Sequence, residues 1–402
     1  MHKKLLEIPD WEFAGLLSSH KVHQLHPYFA KYHSELPRRV INEMTKENDI
    51  VLDPFCGSGT TLVEASLAGR NSIGIDMNPI ACLMSRVKTS IISASSFDAL
   101  ENIIKNIELD IDLYYQDNSS RNVFQNQYEL PNFHNRDFWF TADALNELAI
   151  IKAHIVNNDV NPLKDFLFLS FSRIIVYSSN QHGESRYTRV EKNRKAKDVF
   201  YQFKKVLLNT KEIITGYSSV RKDVYARVLN MDSKNMELLH DNSVDLVVTS
   251  PPYLNSWDYG LYHRFRFFWL DMDVKAYEKK EIGKHLRTLE GRSKTDEIER
   301  YRNDMGAVLK EVARTLKKNK FCFIVNANSI VKKKFIDTNQ ILVEEAAKHG
   351  LILEDIMERT ILGPHHGMHA SLKSKNIIVE DENFVSVGKT SKQEQILIFQ
   401  NK

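Results

Sequence analysis

Cysteine is scarce in this chain of 402 residues, which carries only Cys56, Cys82 and Cys322. None of them forms a C-x-x-C pair, so the sequence predicts neither a structural zinc site nor a disulfide framework, and it favours a reducing compartment. Long apolar runs are also missing, and the basic start at residues 1–4 is not followed by the apolar segment of a secretory signal. We therefore expect a soluble, cytoplasmic protein.

Internal repeats and low-complexity segments are absent as well, which argues against a solenoid or a scaffold protein. The chain is longer than one hydrophobic core usually organises, and 42% of its residues are hydrophobic, so it can bury a sizeable core. We expect one sheet domain that carries an inserted unit.

The most informative stretch that is present is S-P-P-Y at residues 250–253. It follows an apolar run at residues 244–248 that predicts a buried strand, and open α/β sheets place their chemistry in loops at strand ends. Ser250 can accept a hydrogen bond and Tyr253 offers a stacking face, while the two prolines between them fix the backbone so that a carbonyl points the same way. These groups suit a planar exocyclic amine, and the alternative is a Pro-Pro turn that only ends a strand.

A second motif, D-P-F-C-G-S-G-T-T at residues 53–61, follows a predicted strand and leads into a helix expected to begin near Thr60. Gly57 and Gly59 let the backbone approach a ligand closely. The next predicted strand ends in Asp76, a carboxylate placed to accept both hydroxyls of a ribose. The loop is neither G-x-G-x-x-G nor a P-loop, so a nucleoside without phosphate is the expected ligand, and a glycine-bearing packing joint is the alternative.

The two motifs resemble those of the amino-methylating DNA methyltransferases, which transfer a methyl group from S-adenosylmethionine to the exocyclic nitrogen of cytosine or adenine. Residues 53–61 are similar to the family's cofactor loop and residues 250–253 to its catalytic loop. Residues 26–31, followed by 36–41, are similar to the helix that precedes the cofactor loop. The cofactor half leads here, whereas in one common pattern of the family the catalytic loop comes first.

The resemblance implies S-adenosylmethionine as the cofactor, no metal, and direct methyl transfer to a base flipped out of double-stranded DNA. Tyr253 would stack on the base, while Ser250 and the Pro251 carbonyl would accept hydrogen bonds from its amine. The resemblance also places Asp232 near the adenine ring of the cofactor, although an acid that opens a surface turn would look the same. The site residues expected on this basis are, for catalysis, Ser250, Pro251, Pro252 and Tyr253 and, for the cofactor, Tyr28, Asp53, Phe55, Gly57, Gly59, Thr60, Asp76 and Asp232.

Serine at the head of the catalytic loop is more typical of cytosine-N4 enzymes, whereas adenine-N6 enzymes usually carry Asp or Asn there. N4 of cytosine is therefore the expected target and N6 of adenine the alternative. The implied setting is a restriction-modification or related defence system, with a cognate restriction endonuclease as partner. An RNA amine methyltransferase and a catalytically silent DNA-binding subunit are the rival hypotheses, but no appended RNA-binding module is visible and both loops are intact.

Charge is unevenly distributed, although the net charge is only +3. Residues 181–227 hold twelve Lys and Arg against five acids, while residues 95–166 hold twelve acids against five Lys and Arg. The basic stretch mixes an aromatic residue with arginines and is predicted to bind DNA phosphates. The alternative is a solvated helix face that balances the acidic segment across a packed interface. The expected DNA contacts are Arg186, Arg189, Arg194, Lys195 and Lys197.

Alternating predicted strands and helices are typical of a doubly wound α/β sheet, and the excess chain between Asp76 and Asp232 indicates an insertion. We predict a Rossmann-like methyltransferase sheet with an inserted, mainly helical domain. Its cofactor-binding half would span residues 1–90, the inserted DNA-recognition domain 91–225, and the catalytic half 226–402. A mobile charged segment near 275–302 is the competing location for DNA recognition.

Three histidines stand close together at residues 365–369, in a segment that also contains Gly367. No cysteine or paired carboxylate lies beside them, so we expect a wall of the substrate pocket there rather than a metal site.

Overall fold

The structure is a computed structural model that describes residues 2–8, 10–13, 15–116, 128–158, 163–184, 186–255, 258–283, 294–331, 334–361 and 392–402. Its strands are β1 (Ile50–Asp53), β2 (Asn71–Asp76), β3 (Gln181–Gly183), β4 (Arg186–Arg189), β5 (Ala226–Asn230), β6 (Val244–Thr249), β7 (Leu316–Asn326), β8 (Ser329–Val331), β9 (Lys334–Ile336), β10 (Leu351–Ile361) and β11 (Lys392–Asn401). The histidines at 365–369 lie outside the described residues.

The helices surround the strands, and a short 3₁₀ helix (Lys21–Gln24) precedes α2. They are α1 (Lys3–Leu6), α2 (Glu35–Met44), α3 (Thr60–Leu67), α4 (Pro79–Thr89), α5 (Ala94–Gln116), α6 (Arg136–Trp139), α7 (Ala142–Val156), α8 (Leu163–Ser178), α9 (Asp198–Ser218), α10 (Tyr259–Trp269), α11 (Val274–Lys280), α12 (Lys294–Thr315) and α13 (Thr338–Ala347). In the ranges described above, no helix combines the length and the apolar character needed to cross a bilayer.

Within the described part of the chain, seven strands form one sheet in the order β10, β11, β7, β6, β1, β2, β5. Neighbouring strands are parallel except β11, which runs antiparallel to both β7 and β10. The chain builds outward from β1 through β2 to β5 and then returns to place β6 on the other side of β1. This reversal creates a switch point between β1 and β6, where open α/β sheets bind their ligands. The predicted doubly wound fold is confirmed.

Both faces of the sheet are covered, and the side chains of β1 and β6 alternate between two cores. Val51, Leu246 and Val248 pack in a cluster with buried residues of α2. Leu52 and Val247 point to the other face, where they join a cluster with buried residues of α12 and α13. A parallel sheet covered on both faces explains why these strands read as continuous apolar runs.

The chain between α4 and β5 contributes α5 to α9 and the β3–β4 hairpin, as expected for a mainly helical insertion. Its buried residues share one hydrophobic cluster with α4 and α10, which belong to the sheet domain; Ile80, Leu83 and Trp269 are members of it. The predicted boundaries at residues 90 and 225 fall after α4 and before β5, and they stay a prediction.

Candidate functional site

The cofactor-type loop and the S-P-P-Y loop meet because their strands are neighbours. Val51 pairs with Leu246 and Leu52 with Val247, so the loops that follow β1 and β6 emerge side by side at the carboxyl edge of the sheet. Between them lies a pocket of about 990 Å³, counting the part open to solvent. The expected site residues that line it are Tyr28, Asp53, Phe55, Gly57, Thr60, Asp76, Asp232, Ser250, Pro251, Pro252 and Tyr253.

Asp53 ties the two loops together at the floor of the pocket. Its carboxylate accepts hydrogen bonds from Thr61 Oγ1 at 2.6 Å and from Thr249 Oγ1, at the end of β6, at 2.7 Å. The Phe55 backbone N–H adds a third at 3.1 Å. Burial raises the pKa of Asp53, and these hydrogen bonds oppose that shift. The aspartate therefore fixes the relative position of the cofactor-type and S-P-P-Y loops.

Both glycines of the cofactor-type loop have positive φ, and neither leaves room for a side chain. A Cβ at Gly57 (φ +48°) would lie 3.0 Å from Cε1 of Tyr28, and one at Gly59 (φ +83°) would lie 2.8 Å from Oγ of Ser85. Gly59 precedes α3 and packs against α4, whereas Gly57 forms part of the pocket wall. Only Gly57 of the two therefore has a direct place beside a ligand.

Asp76, the last residue of β2, holds its carboxylate at the pocket edge. Oδ2 accepts from the Gly57 N–H at 2.9 Å and Oδ1 accepts from the Asn78 N–H at 2.8 Å. Burial raises the pKa of Asp76 to about 6, although both hydrogen bonds act in the opposite direction. An ionised carboxylate has about four acceptor positions, so two remain for a pair of vicinal hydroxyls.

Tyr28 closes one side of the pocket from the segment that precedes α2. Its ring stacks on Tyr259 and on His263, with ring centroids 5.6 Å apart and planes 20° and 19° from parallel. Burial raises the pKa of the Tyr28 hydroxyl, which stays protonated. Tyr259 and His263 belong to α10, so the chain just after the S-P-P-Y loop also completes the opposite, cofactor-type side.

The far end of α10 reaches the insertion. Arg266 is buried, and its Nη2 donates to both carboxylate oxygens of Glu184, at 2.8 Å each, next to the β3–β4 hairpin. Its Nε donates to the Ser172 carbonyl in α8 at 3.1 Å. The helix therefore links the pocket to the hairpin.

Asp232 lies in the pocket lining, but β5 already ends at Asn230. The difference arises because Asp232 Oδ1 accepts from the Lys234 N–H at 3.0 Å and opens a turn, which interrupts the strand. Asp232 therefore lies in the pocket lining and also opens a turn, which are the positions that the two interpretations of the sequence gave it.

The S-P-P-Y loop is held from two sides. A Cβ at Gly283 would lie 2.8 Å from the Tyr253 carbonyl oxygen, and the Gly283 carbonyl accepts from the Asn255 N–H at 3.0 Å. On the other side, Tyr253 Oη donates to Oε1 of Glu394 in β11 at 2.9 Å, and Ser250 Oγ lies 3.5 Å from Tyr253 Oη.

Sequence reasoning missed the wall formed by the end of α11. Glu281 Oε1 accepts hydrogen bonds from the Tyr259 N–H at 2.9 Å and from Tyr277 Oη at 3.1 Å. Glu281 and Tyr277 both line the pocket. The available signal was the i, i+4 spacing of Tyr277 and Glu281 in a segment that otherwise looks like a charged surface helix. Lys280 and Ile282 complete this wall.

The five basic residues expected at DNA do not line the pocket, and they divide by environment. Lys197 pairs with Asp112 of α5 at 2.5 Å. Arg194 donates to the Ser179 carbonyl at 2.7 Å, and Arg189 donates to the Phe138 carbonyl at 3.0 Å. The exposed members are Arg186, Arg189 and Lys195. The DNA role of all five stays a prediction.

Comparison with known proteins agrees with this geometry. Residues 3–86, which contain the cofactor-type loop and Asp76, match the model of a family of N6 and N4 methyltransferases described as DNA methylase. The chain is 28% identical to the type II methyltransferase M.MvaI of Kocuria varians, over 81% of this chain and 79% of that protein. It is 25% identical to the type II methyltransferase M.MjaII of Methanocaldococcus jannaschii, over 84% and 79% of the two chains.

The chain is similar to the amino-methylating DNA methyltransferases. This similarity supports an S-adenosylmethionine-dependent transferase that acts on DNA. The pocket fits that cofactor, because Gly57 leaves a wall without a side chain and Asp76 retains acceptor positions for ribose hydroxyls. Within the described ranges, no group of three or more His, Cys, Asp or Glu is arranged to hold a metal ion. The individual residue roles stay predictions.

Proposed function

We propose that this methyltransferase modifies the exocyclic N4 of a cytosine flipped out of double-stranded DNA, with N6 of adenine as the alternative target. The observation that carries the proposal is the placement of Ser250 and Asp76 on the walls of one pocket at the β1–β6 switch point. A serine hydroxyl there offers a compact hydrogen-bond acceptor to an amine, and Asp76 suits the nucleoside end of the methyl donor.

The main task of the protein is to orient the target amine, because bound S-adenosylmethionine supplies a methyl group that is already activated. Ser250 and the Pro251 carbonyl accept hydrogen bonds from the amine and orient its lone pair, which is otherwise delocalised into the ring. Tyr253 provides the stacking surface, and the Tyr28 and Glu281 walls exclude water. Flipping the base costs a few kcal/mol, which contacts in this pocket must offset. Proximity then accounts for most of the rate.

We further propose that the enzyme acts in the cytoplasm as the modification partner of a cognate restriction endonuclease. The similarity to type II methyltransferases over most of the chain supports this setting. Expression of the enzyme in a methylation-free host should protect host DNA from one restriction endonuclease that reads the same sequence. Protection against none of a panel of endonucleases, despite methylation, would count against the defence role.

Mass spectrometry of nucleosides from that host DNA tests the target atom. We expect N4-methylcytosine, and modified-base sequencing of the same DNA gives the recognised sequence. If only N6-methyladenine were found, the target would be the alternative one and the enzyme class would remain.

Substitution at the two ends of β6 tests the catalytic loop. Ser250→Ala should lower methyl transfer on the order of 100-fold, the usual effect of removing one preorganised hydrogen-bonding group, without changing cofactor affinity. The matched control is Ser243→Ala, which removes a hydroxyl that donates to the His240 carbonyl just before β6. Equal activity of the two variants would show that the assigned pocket is wrong.

A further inference from the structure

A buried ion pair stands behind the S-P-P-Y loop. Glu394 in β11 and Arg359 in β10 face each other across an antiparallel strand pair, and Nε of Arg359 lies 3.1 Å from Oε2 of Glu394. Both side chains are buried, with 5% and 9% of the Arg359 and Glu394 side chains exposed. The other carboxylate oxygen of Glu394, Oε1, accepts from Tyr253 Oη at 2.9 Å. The ion pair therefore contacts the catalytic loop directly.

The chemistry of these groups fixes the direction of the hydrogen bonds. An ionised carboxylate can only accept, so the Tyr253 hydroxyl must donate its one proton to Glu394. Burial and the nearby Glu394 charge raise the pKa of Tyr253, so the phenol keeps that proton. The Tyr253 oxygen is left as an acceptor, and Ser250 Oγ donates to it over 3.5 Å. Once its proton is used in this way, Ser250 has only lone pairs to offer the pocket.

We propose that the Arg359–Glu394 pair polarises the chain Ser250–Tyr253–Glu394, which makes Ser250 an obligate acceptor that selects a base carrying an amine over one carrying a carbonyl. A serine hydroxyl by itself can donate or accept, and it would therefore tolerate either group. Glu394 is thus a positioning and specificity residue that acts through Tyr253. This inference rests on the proposed function, in which Ser250 contacts the target amine.

Binding to two DNA duplexes tests the proposal. They share the recognised sequence and differ only at the target base, cytosine in one and uracil in the other, which places a carbonyl where cytosine has its amine. The measured quantity is the ratio of the two dissociation constants, with cofactor present. A G·U pair opens more easily than G·C, but this effect is common to all variants and cancels when their ratios are compared.

Glu394→Gln should shift this ratio toward uracil by about tenfold or more relative to wild type, since a glutamine amide can donate to Tyr253 and release the Ser250 proton toward the pocket. Tyr253→Phe, which keeps the ring but removes the hydroxyl, should shift it in the same direction. The matched control is Glu358→Gln, which removes an exposed carboxylate from β10 and should keep the wild-type ratio. The proposal fails if both Glu394→Gln and Tyr253→Phe keep the wild-type ratio.

Tyr253→Phe also covers the case in which Glu394→Gln destabilises the fold by leaving Arg359 without its carboxylate. Failure of the proposed function is seen separately, in the nucleoside analysis. If the product is N6-methyladenine, the N4 proposal is wrong, and the same variants are compared on adenine and hypoxanthine, which differ in the same amine and carbonyl. An unchanged adenine to hypoxanthine ratio would then overturn the polarised chain as well.

Discussion

We expect Asp76 to determine how the cofactor end of the pocket responds to pH. Its carboxylate must be ionised to accept hydrogen bonds from two hydroxyls, and burial raises its pKa to about 6. Cofactor affinity should therefore fall as the pH drops through about 6. Asp76→Asn should bind S-adenosylmethionine more weakly at neutral pH, by about 1.5 to 3 kcal/mol, and with a flat profile between pH 5 and 7.5. Calorimetry over that pH range measures the affinity of each protein and its dependence on pH. Parallel pH profiles for wild type and Asp76→Asn would contradict the assignment of Asp76 to the cofactor.

The raised pKa of Asp76 acts on the stability of the fold in the opposite direction: cofactor affinity should rise with pH, whereas stability should fall. Because the folded-state pKa is raised above its ordinary value of 3.8, Asp76 contributes stability that is fully present below 3.8 and lost as the pH rises through about 6. Without cofactor, the free energy of unfolding of Asp76→Asn should therefore rise relative to that of wild type as the pH increases from 5 to 7.5. Denaturant titrations at several pH values check this, and a constant difference between the two proteins would argue against a buried, ionised carboxylate.

Among single residues, the sequence pointed to those that stand in a recognisable short motif. The place of Asp53, Gly57 and Asp76 in the pocket lining could be predicted, because each stands at a strand end or in a glycine-bearing loop, where position depends on neighbours along the chain. Glu394 could not, because it is 141 residues from Tyr253 and only the pairing of β11 with β7 and β10 brings it to the catalytic loop.

Part of the uneven charge of the sequence is balanced by ion pairs between α5 and the α9 region. Lys197 and Lys204 pair with Asp112 and Glu108 at 2.5 and 3.2 Å, so part of the basic stretch balances the acidic helix inside the insertion. Such partly exposed pairs contribute less than about 1 kcal/mol each. The sequence indicated both this interpretation and the DNA-binding one, since composition does not reveal which lysines face a neighbouring helix.

Arg186 and Lys195 are exposed, and we expect them to contact DNA phosphates. Arg186→Ala and Lys195→Ala should each weaken DNA binding and lower the slope of log affinity against log salt concentration by about one. Lys197→Ala is the matched control, because its charge is already paired with Asp112 and the slope should not change. Fluorescence anisotropy at several salt concentrations provides the slopes. Equal slopes for all three variants would place the DNA contacts elsewhere, with residues 275–302 as the first alternative.

The molecule as a whole has fewer independent parts than its sequence implies. Length and the spacing of motifs predicted an insertion, but the apolar faces of its helices do not indicate which partner covers them. In the structure they share one core with α4 and α10 of the sheet domain. We expect the full chain to unfold in a single calorimetric transition and residues 91–225 alone to lack cooperative unfolding. Two separate transitions would show that the insertion is an independent domain.

Helix α10 joins the cofactor side of the pocket to the hairpin that carries Arg186, through the Tyr28 stack at one end and the Arg266–Glu184 ion pair at the other. We expect this link to couple the binding of the two ligands, and by thermodynamic linkage the factor by which bound cofactor tightens DNA must equal the factor by which DNA tightens cofactor. Glu184→Gln should reduce both factors equally while leaving each separate affinity nearly unchanged, as titrations of either ligand with and without the other can measure. An enzyme built in this way would hold its methyl donor most firmly when a site on DNA is already engaged.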